Sequence, residues 1–125
     1  MKTEIRRNYW SRFIKKFSAA NRYRQATVAL TGSGRKKIEI SGDTPFAGVG
    51  IGRKGRSIES IELLAGQHDP EQLTMPVVSV NQPQRLTVYR DPEGRDMSLS
   101  IEGEKGTVAM LTLAGDPDQD QYRGF

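Results

Sequence analysis

Few residues of this chain could do chemistry. The only histidine, His68, is expected in a loop beside Asp69. Nucleophilic catalysis needs a nucleophile, a base and a group that orients the base, and no such set is evident around this histidine. The chain has no cysteine, which excludes thiolate ligands and disulfides. Asp116, Asp118 and Asp120 alternate as in a calcium loop, but the glutamate that such a loop needs does not follow. We therefore expect no catalytic residue, no metal and no cofactor.

The glycine-rich segment 48–56 is the strongest candidate for binding a ligand. Gly50, Gly52 and Gly55 match the Gly-x-Gly-x-x-Gly pattern of dinucleotide-binding proteins. That pattern binds a pyrophosphate only between a strand and a helix of a βαβ unit, and no such unit is evident here. We interpret this match as coincidental.

The same segment resembles the signature of the KH RNA-binding module. In that module a Gly-x-x-Gly loop joins two helices and clamps the nucleic-acid backbone. Here Arg53, Lys54 and Arg56 would supply positive charge, and residues 57–65 would form the second helix. The alternative is a basic turn between two strands. The sequence leaves residues 57–65 open between helix and strand.

Positive charge is concentrated in the first half of the chain. Residues 1–56 contain 14 Lys or Arg and 3 Asp or Glu, whereas residues 57–125 contain 5 and 12. Such asymmetry can indicate a basic face for nucleic acid. Alternatively, strands from the two halves interleave and their charges offset one another. The candidate nucleic-acid-binding residues are Arg53, Lys54, Arg56, Arg35, Lys36 and Lys37.

An amphipathic helix is predicted near the start of the chain, over about residues 9–20. Its apolar positions recur with the spacing of one helical face, and they are Trp10, Phe13, Ile14 and Phe17. Asn8 is a plausible N-cap, and Asn21 can take the left-handed position that ends a helix. The apolar face is expected to dock onto a sheet. The alternative is a membrane surface, because the opposite face is basic.

Beyond the helix, the apolar period changes from 3.6 to 2 and short strands are predicted. The clearest pair is a β-hairpin around Asp91-Pro92-Glu93-Gly94. The glycines near residue 50 are expected to bend or bulge the chain. The predicted fold is mainly β (α+β), with the helix packed on a small antiparallel β-barrel or a strongly bent sheet of 5–7 strands. Residues 1–114 would form one domain and residues 115–125 a disordered acidic tail.

Structural motifs spread over residues 5–114 resemble a bacterial family of small domains of unknown function. They are Trp10-Ser11-Arg12-Phe13, Phe46-Ala47-Gly48-Val49, Ile61-Glu62-Leu63, Pro83-Gln84-Arg85-Leu86, Asp91-Pro92-Glu93-Gly94, Leu99-Ser100-Ile101-Glu102 and Gly106. The resemblance implies a helix followed by a small barrel-like sheet, with an architecture similar to Sm-like barrels. Family members often have an Asp-containing turn where this chain has Arg53-Lys54-Gly55, and a histidine near the position of Met75. The basic turn is therefore particular to this chain.

The sequence predicts a non-catalytic small β domain that acts as a binding or interaction module. Its partner would be an unknown protein or a nucleic acid, and the alternative function is RNA binding through the basic turn 52–56. No apolar run approaches the roughly 20 residues needed to cross a bilayer, and the start of the chain is polar. We therefore expect a cytoplasmic location and no membrane span.

Overall fold

The computed structural model describes residues 1–32, 38–65 and 75–114, with only the backbone of residues 38–44 and 75–77. The α-helix and strands of these residues are β1 (Lys2–Ile5), α1 (Trp10–Asn21), β2 (Gln25–Thr31), β3 (Ile38–Lys54), β4 (Ser57–Ala65), β5 (Met75–Asn81), β6 (Arg85–Arg90), β7 (Asp96–Glu102) and β8 (Val108–Leu113). Short 3-10 turns lie at Arg7–Tyr9 and Glu104–Gly106. The predictions made for Arg35, Lys36, Lys37, His68 and the tail 115–125 lie outside the described residues.

The strands form one antiparallel sheet in the order β1-β6-β7-β8-β2-β3-β4-β5. The predicted class, mainly β with a helix packed on an antiparallel sheet, is confirmed. The described residues form eight strands rather than the predicted 5–7, and their sheet is not closed into a barrel. Strand β5 nevertheless lies close to β2 and β8, which are not its neighbours in the sheet. The sheet therefore curves back over its own core.

The first strand was not predicted. Residues 2–5 pair with β6, so that Ile5 lies opposite Leu86 and Lys2 opposite Tyr89. Lys2, Thr3 and Glu4 are polar and exposed, and Ile5 is the one apolar residue of this strand. The strand therefore shows no alternation of apolar and polar residues, which is the pattern that predicts strands.

Strand β3 is long enough to belong to both halves of the sheet. Its residues 38–45 pair with β2, whereas residues 46–54 pair with β4. The register shifts between Phe46 and Gly48 and again between Gly52 and Arg53. An extra residue in one strand of an antiparallel pair bends that strand and increases its twist. The predicted bulges in the glycine-rich segment are confirmed.

Residues 57–65 form the strand β4 and not a helix. Burial alternates along it, with Ile61, Leu63 and Ala65 buried. The Gly-x-x-Gly sequence therefore lies at the tip of a β-hairpin rather than between two helices, and the KH-like interpretation is wrong. Because a strand follows the Gly-x-Gly-x-x-Gly match, the helix N-terminus that a dinucleotide needs is missing there too.

Helix α1 covers the core with the predicted apolar face. Trp10, Ile14 and Phe17 are 1%, 3% and 2% exposed. Burying a side chain of this size stabilises the fold by about 1.5–3 kcal/mol. Phe13 lies at the margin of the core and is partly buried. The indole Nε1 of Trp10 donates a hydrogen bond to the carbonyl of Ile5 at 2.8 Å, so the helix is also attached to β1. Docking on the sheet is confirmed.

Both predictions for the ends of the helix are wrong. Asn8 lies within the 3-10 turn that precedes α1, and the helix begins without a side-chain cap. Asn21 is the last residue of the helix and is buried. The left-handed conformation is taken instead by Tyr23, with φ 75°.

Candidate nucleic-acid interface

The basic turn forms the tip of the hairpin between β3 and β4. Lys54 pairs with Ser57, which leaves a two-residue turn of Gly55 and Arg56. Gly55 has φ 62°, a conformation that glycine adopts without the steric cost of a side chain. A positive φ at the first turn position alone is typical of the type II′ turn that suits the twist of a hairpin. Arg53, Lys54 and Arg56 are all exposed at this tip.

Helix α1 lies alongside the second half of β3 and runs antiparallel to it. Near the helix end, the backbone N–H of Val49 donates to Ser18 Oγ at 2.9 Å. Near the helix start, Arg53 Nη2 donates to Ser11 Oγ. Ser18 and Val49 are 31 positions apart in the sequence, and Ser11 and Arg53 are 42 positions apart. The hairpin tip is therefore held beside the first turn of the helix.

Further cations lie on the solvent side of the same helix. Ser11 and Lys15 are four residues apart and so lie on one line along the helix. Arg12 and Lys16 lie on the next line along the helix. Arg12, Lys15 and Lys16 are all exposed. We call the set of Arg12, Lys15, Lys16, Arg53, Lys54 and Arg56 the basic surface.

No acidic residue offsets this charge from within the helix. The sequence contains no Asp or Glu from Ile5 to Ile38. Among the described residues, the salt bridges involve Arg85, Arg90 and Arg95, and none includes a cation of the basic surface. Cations grouped in this way add their potentials and attract polyanions from a distance.

The strands of the two halves do interleave, as one interpretation of the charge asymmetry predicted. Strand β1 pairs with β6, and β2 pairs with β8. The cations of α1 and of the hairpin tip nevertheless share one side of the domain. Only the Arg53–Ser11 contact reveals this, since periodicity and composition report neighbours within one element.

Two carboxylates of the second half, those of Asp91 and Asp96, form hydrogen bonds within the hairpin of β6 and β7. Asp91 Oδ1 accepts hydrogen bonds from the backbone N–H of Glu93 and of Arg95, both at 2.9 Å. The bond from the Arg95 backbone N–H lowers the pKa of Asp91 below its usual range. Asp96 accepts from Arg90 Nε at 2.8 Å. These contacts organise the hairpin turn predicted around residues 91–94.

Within residues 1–32, 38–65 and 75–114, no group of three or more His, Asp or Glu side chains is placed to hold a metal ion. No helix in this part of the chain is long and apolar enough to cross a membrane. The candidate cations Arg35, Lys36 and Lys37 lie outside it, so their relation to the basic surface stays a prediction.

No protein-family model, curated protein or solved structure matches this chain. The resemblance to a bacterial family of small domains therefore stays a prediction.

Proposed function

We propose that this domain is a non-catalytic binding module whose ligand is a nucleic-acid strand, with RNA as the first candidate. One observation carries the proposal. The contact between Arg53 and Ser11 joins the cationic hairpin tip to the cationic face of α1. A polyanion lying across both elements would contact the six cations of the basic surface together.

The nature of the surface favours nucleic acid over lipid. A helix that binds a membrane surface inserts an apolar face among the lipids. In α1 that face is occupied, because Trp10, Ile14 and Phe17 are at most 3% exposed beneath the helix. The exposed face of the helix carries Arg12, Lys15 and Lys16 and no acidic residue. Phosphate groups of a nucleic-acid backbone suit it, since neutralising them releases counterions.

The test measures RNA affinity by fluorescence anisotropy at several salt concentrations. The variant replaces Arg53, Lys54 and Arg56 with Ala. Each lost phosphate contact on a single strand lowers the slope of log affinity against log salt by about 0.7, so three contacts lower it by about 2. We expect this reduction together with weaker binding at low salt.

A matched control removes the same charge elsewhere. Arg85, Arg95 and Lys105 lie on β6, the following turn and the turn before β8, and all three are exposed. Replacing them with Ala should leave the salt slope nearly unchanged. The proposal fails if the wild-type chain does not bind RNA or DNA saturably, or if both triple variants lose the same affinity. Equal binding of poly-glutamate would indicate an acidic protein partner instead.

A further inference from the structure

A groove lies between α1 and β1, on the flank of the helix opposite the hairpin tip. Its lining includes Arg6, Tyr9, Arg12, Phe13, Lys16 and Arg90. Arg12 and Lys16 belong both to this groove and to the basic surface. A nucleic-acid strand bound across the helix would therefore contact the groove and the cations of the basic surface at the same time.

The groove presents an aromatic ring to solvent. Tyr9 is 47% exposed, although the next residue, Trp10, is 1% exposed in the core. Tyr9 ends the 3-10 turn and Trp10 begins the helix, so their side chains point in different directions. The turn is closed by the backbone N–H of Tyr9, which donates to the carbonyl of Arg6 at 2.9 Å. The Arg12 guanidinium lies 5.9 Å from the centroid of the Tyr9 ring. An aromatic ring beside a cation is the arrangement on which unpaired bases stack.

The charges of the groove favour an anionic ligand. Among the described residues, Glu4 is the one carboxylate in the lining, and it already pairs with Arg85 at 3.0 Å. Arg90 is held by Asp96 at 2.8 Å. In the described part of the chain, Arg6, Arg12 and Lys16 form no salt bridge. These three cations are available for phosphates on either side of a base.

We propose that this groove holds an unpaired base stacked on Tyr9, so that the domain selects single-stranded over double-stranded nucleic acid. The inference rests on the proposed function and names its ligand class. A base within a duplex is paired and stacked, and it must be extruded before it can reach a protein ring. The basic surface alone would bind both forms through their phosphates.

The test compares a 12-nucleotide single-stranded RNA of mixed sequence with the duplex of the same sequence, at one salt concentration. We expect Tyr9→Leu to weaken single-strand binding roughly tenfold, because stacking on one aromatic ring has about that effect. Duplex binding and the salt slope should not change, since no cation is lost. Tyr9→Phe keeps the ring and should retain wild-type affinity.

Emission from Trp10 reports whether Tyr9→Leu is folded, because this buried neighbour shifts to longer wavelength when the core opens. A folded Tyr9→Leu variant that binds the single strand as tightly as wild type would overturn the inference. Equal wild-type affinity for single strand and duplex would also overturn it, as would equal affinity for inorganic polyphosphate, which has no bases. None of these three results contradicts the basic surface itself, which fails on different results: no saturable binding of RNA or DNA, or an equal loss of affinity in the two triple variants.

Discussion

The guanidinium of Arg24 donates a hydrogen bond to the side-chain oxygen of Asn21 at 2.9 Å, and both residues are buried. Asn21 Nδ2 in turn donates to the carbonyl of Phe17 at 2.9 Å and to Asp96 Oδ2 at 2.8 Å. Arg24 also donates to the backbone carbonyls of Asp96 and Ala114. This network ties the end of α1 to the start of β7 and the end of β8, and so sets where the helix lies on the sheet.

Replacing Asn21 with Ala should destabilise the domain by about 2 kcal/mol, because it removes a partner from buried polar groups of Arg24 and Phe17. Urea unfolding followed by circular dichroism measures the change. Gln84→Ala is the control, since it removes an exposed amide and should change stability by less than about 0.5 kcal/mol. Equal midpoints for the two variants would show that the network does not stabilise the fold.

Replacing Ser18 with Ala should free the backbone N–H of Val49, which donates to Ser18 Oγ at 2.9 Å. We expect a loss of about 1 kcal/mol and faster hydrogen exchange at the Val49 amide, measured by NMR. Ala19→Ser is the control, because it makes the reverse exchange at the next, exposed position of the helix. It should leave the Val49 amide protected and change stability by less than about 0.5 kcal/mol. Unchanged protection of Val49 in Ser18→Ala would mean that this contact does not join the helix to β3.

Replacing Gly103 with Ala should strain the turn that precedes β8. A Cβ there would lie 2.5 Å from Val80 Cγ1 and 2.9 Å from the backbone oxygen of Asn81. Overpacking of this kind costs about 1–3 kcal/mol, and thermal unfolding would report it as a lower Tm. Gly50→Ala is the control, because its Cβ would come no closer than 3.8 Å to any atom beyond its two chain neighbours. A Tm for Gly103→Ala that equals that of Gly50→Ala would contradict the close approach of β5 to this turn.

Asp91 should titrate with a pKa below the usual range of an aspartate, because the Arg95 backbone N–H bonds to its charged form. A lowered folded-state pKa contributes stability above the pKa of the unfolded chain, and that stability is lost as pH falls through the folded pKa. NMR titration of the carboxyl carbon measures it. In Arg95→Ala the pKa should rise only in part, since the backbone bond remains. A full return to the ordinary value would assign the shift to the side chain of Arg95.

In the absence of lipid, the emission maximum of Trp10 should lie at a shorter wavelength than that of a tryptophan exposed to water, because the ring is 1% exposed. Acrylamide should quench it weakly, and vesicles of anionic lipid should not move its maximum. A further blue shift with vesicles would show that the helix leaves the sheet for a membrane. That outcome would support the alternative interpretation, in which the helix binds a membrane surface through its apolar and basic faces.

Local patterns were sufficient for the elements with strong periodicity. The helical spacing of Trp10, Ile14 and Phe17 predicted α1 to within one residue at either end. The turn residues Asp91 to Gly94 predicted the hairpin of β6 and β7. In both places the residues that decide the structure are neighbours along the chain, so spacing and turn chemistry suffice.

Periodicity and composition alone predicted a mainly β domain with one amphipathic helix before its strands, and they located the positive charge in the first half of the chain. The structure was needed to show that residues 57–65 are a strand, that residues 2–5 add an edge strand, and that the sheet of the described residues is not closed. It also placed Arg53 against Ser11. The physical reason is common to all four. Strand pairing and contacts between elements join residues that are distant in sequence, and periodicity records only which face of each element is buried.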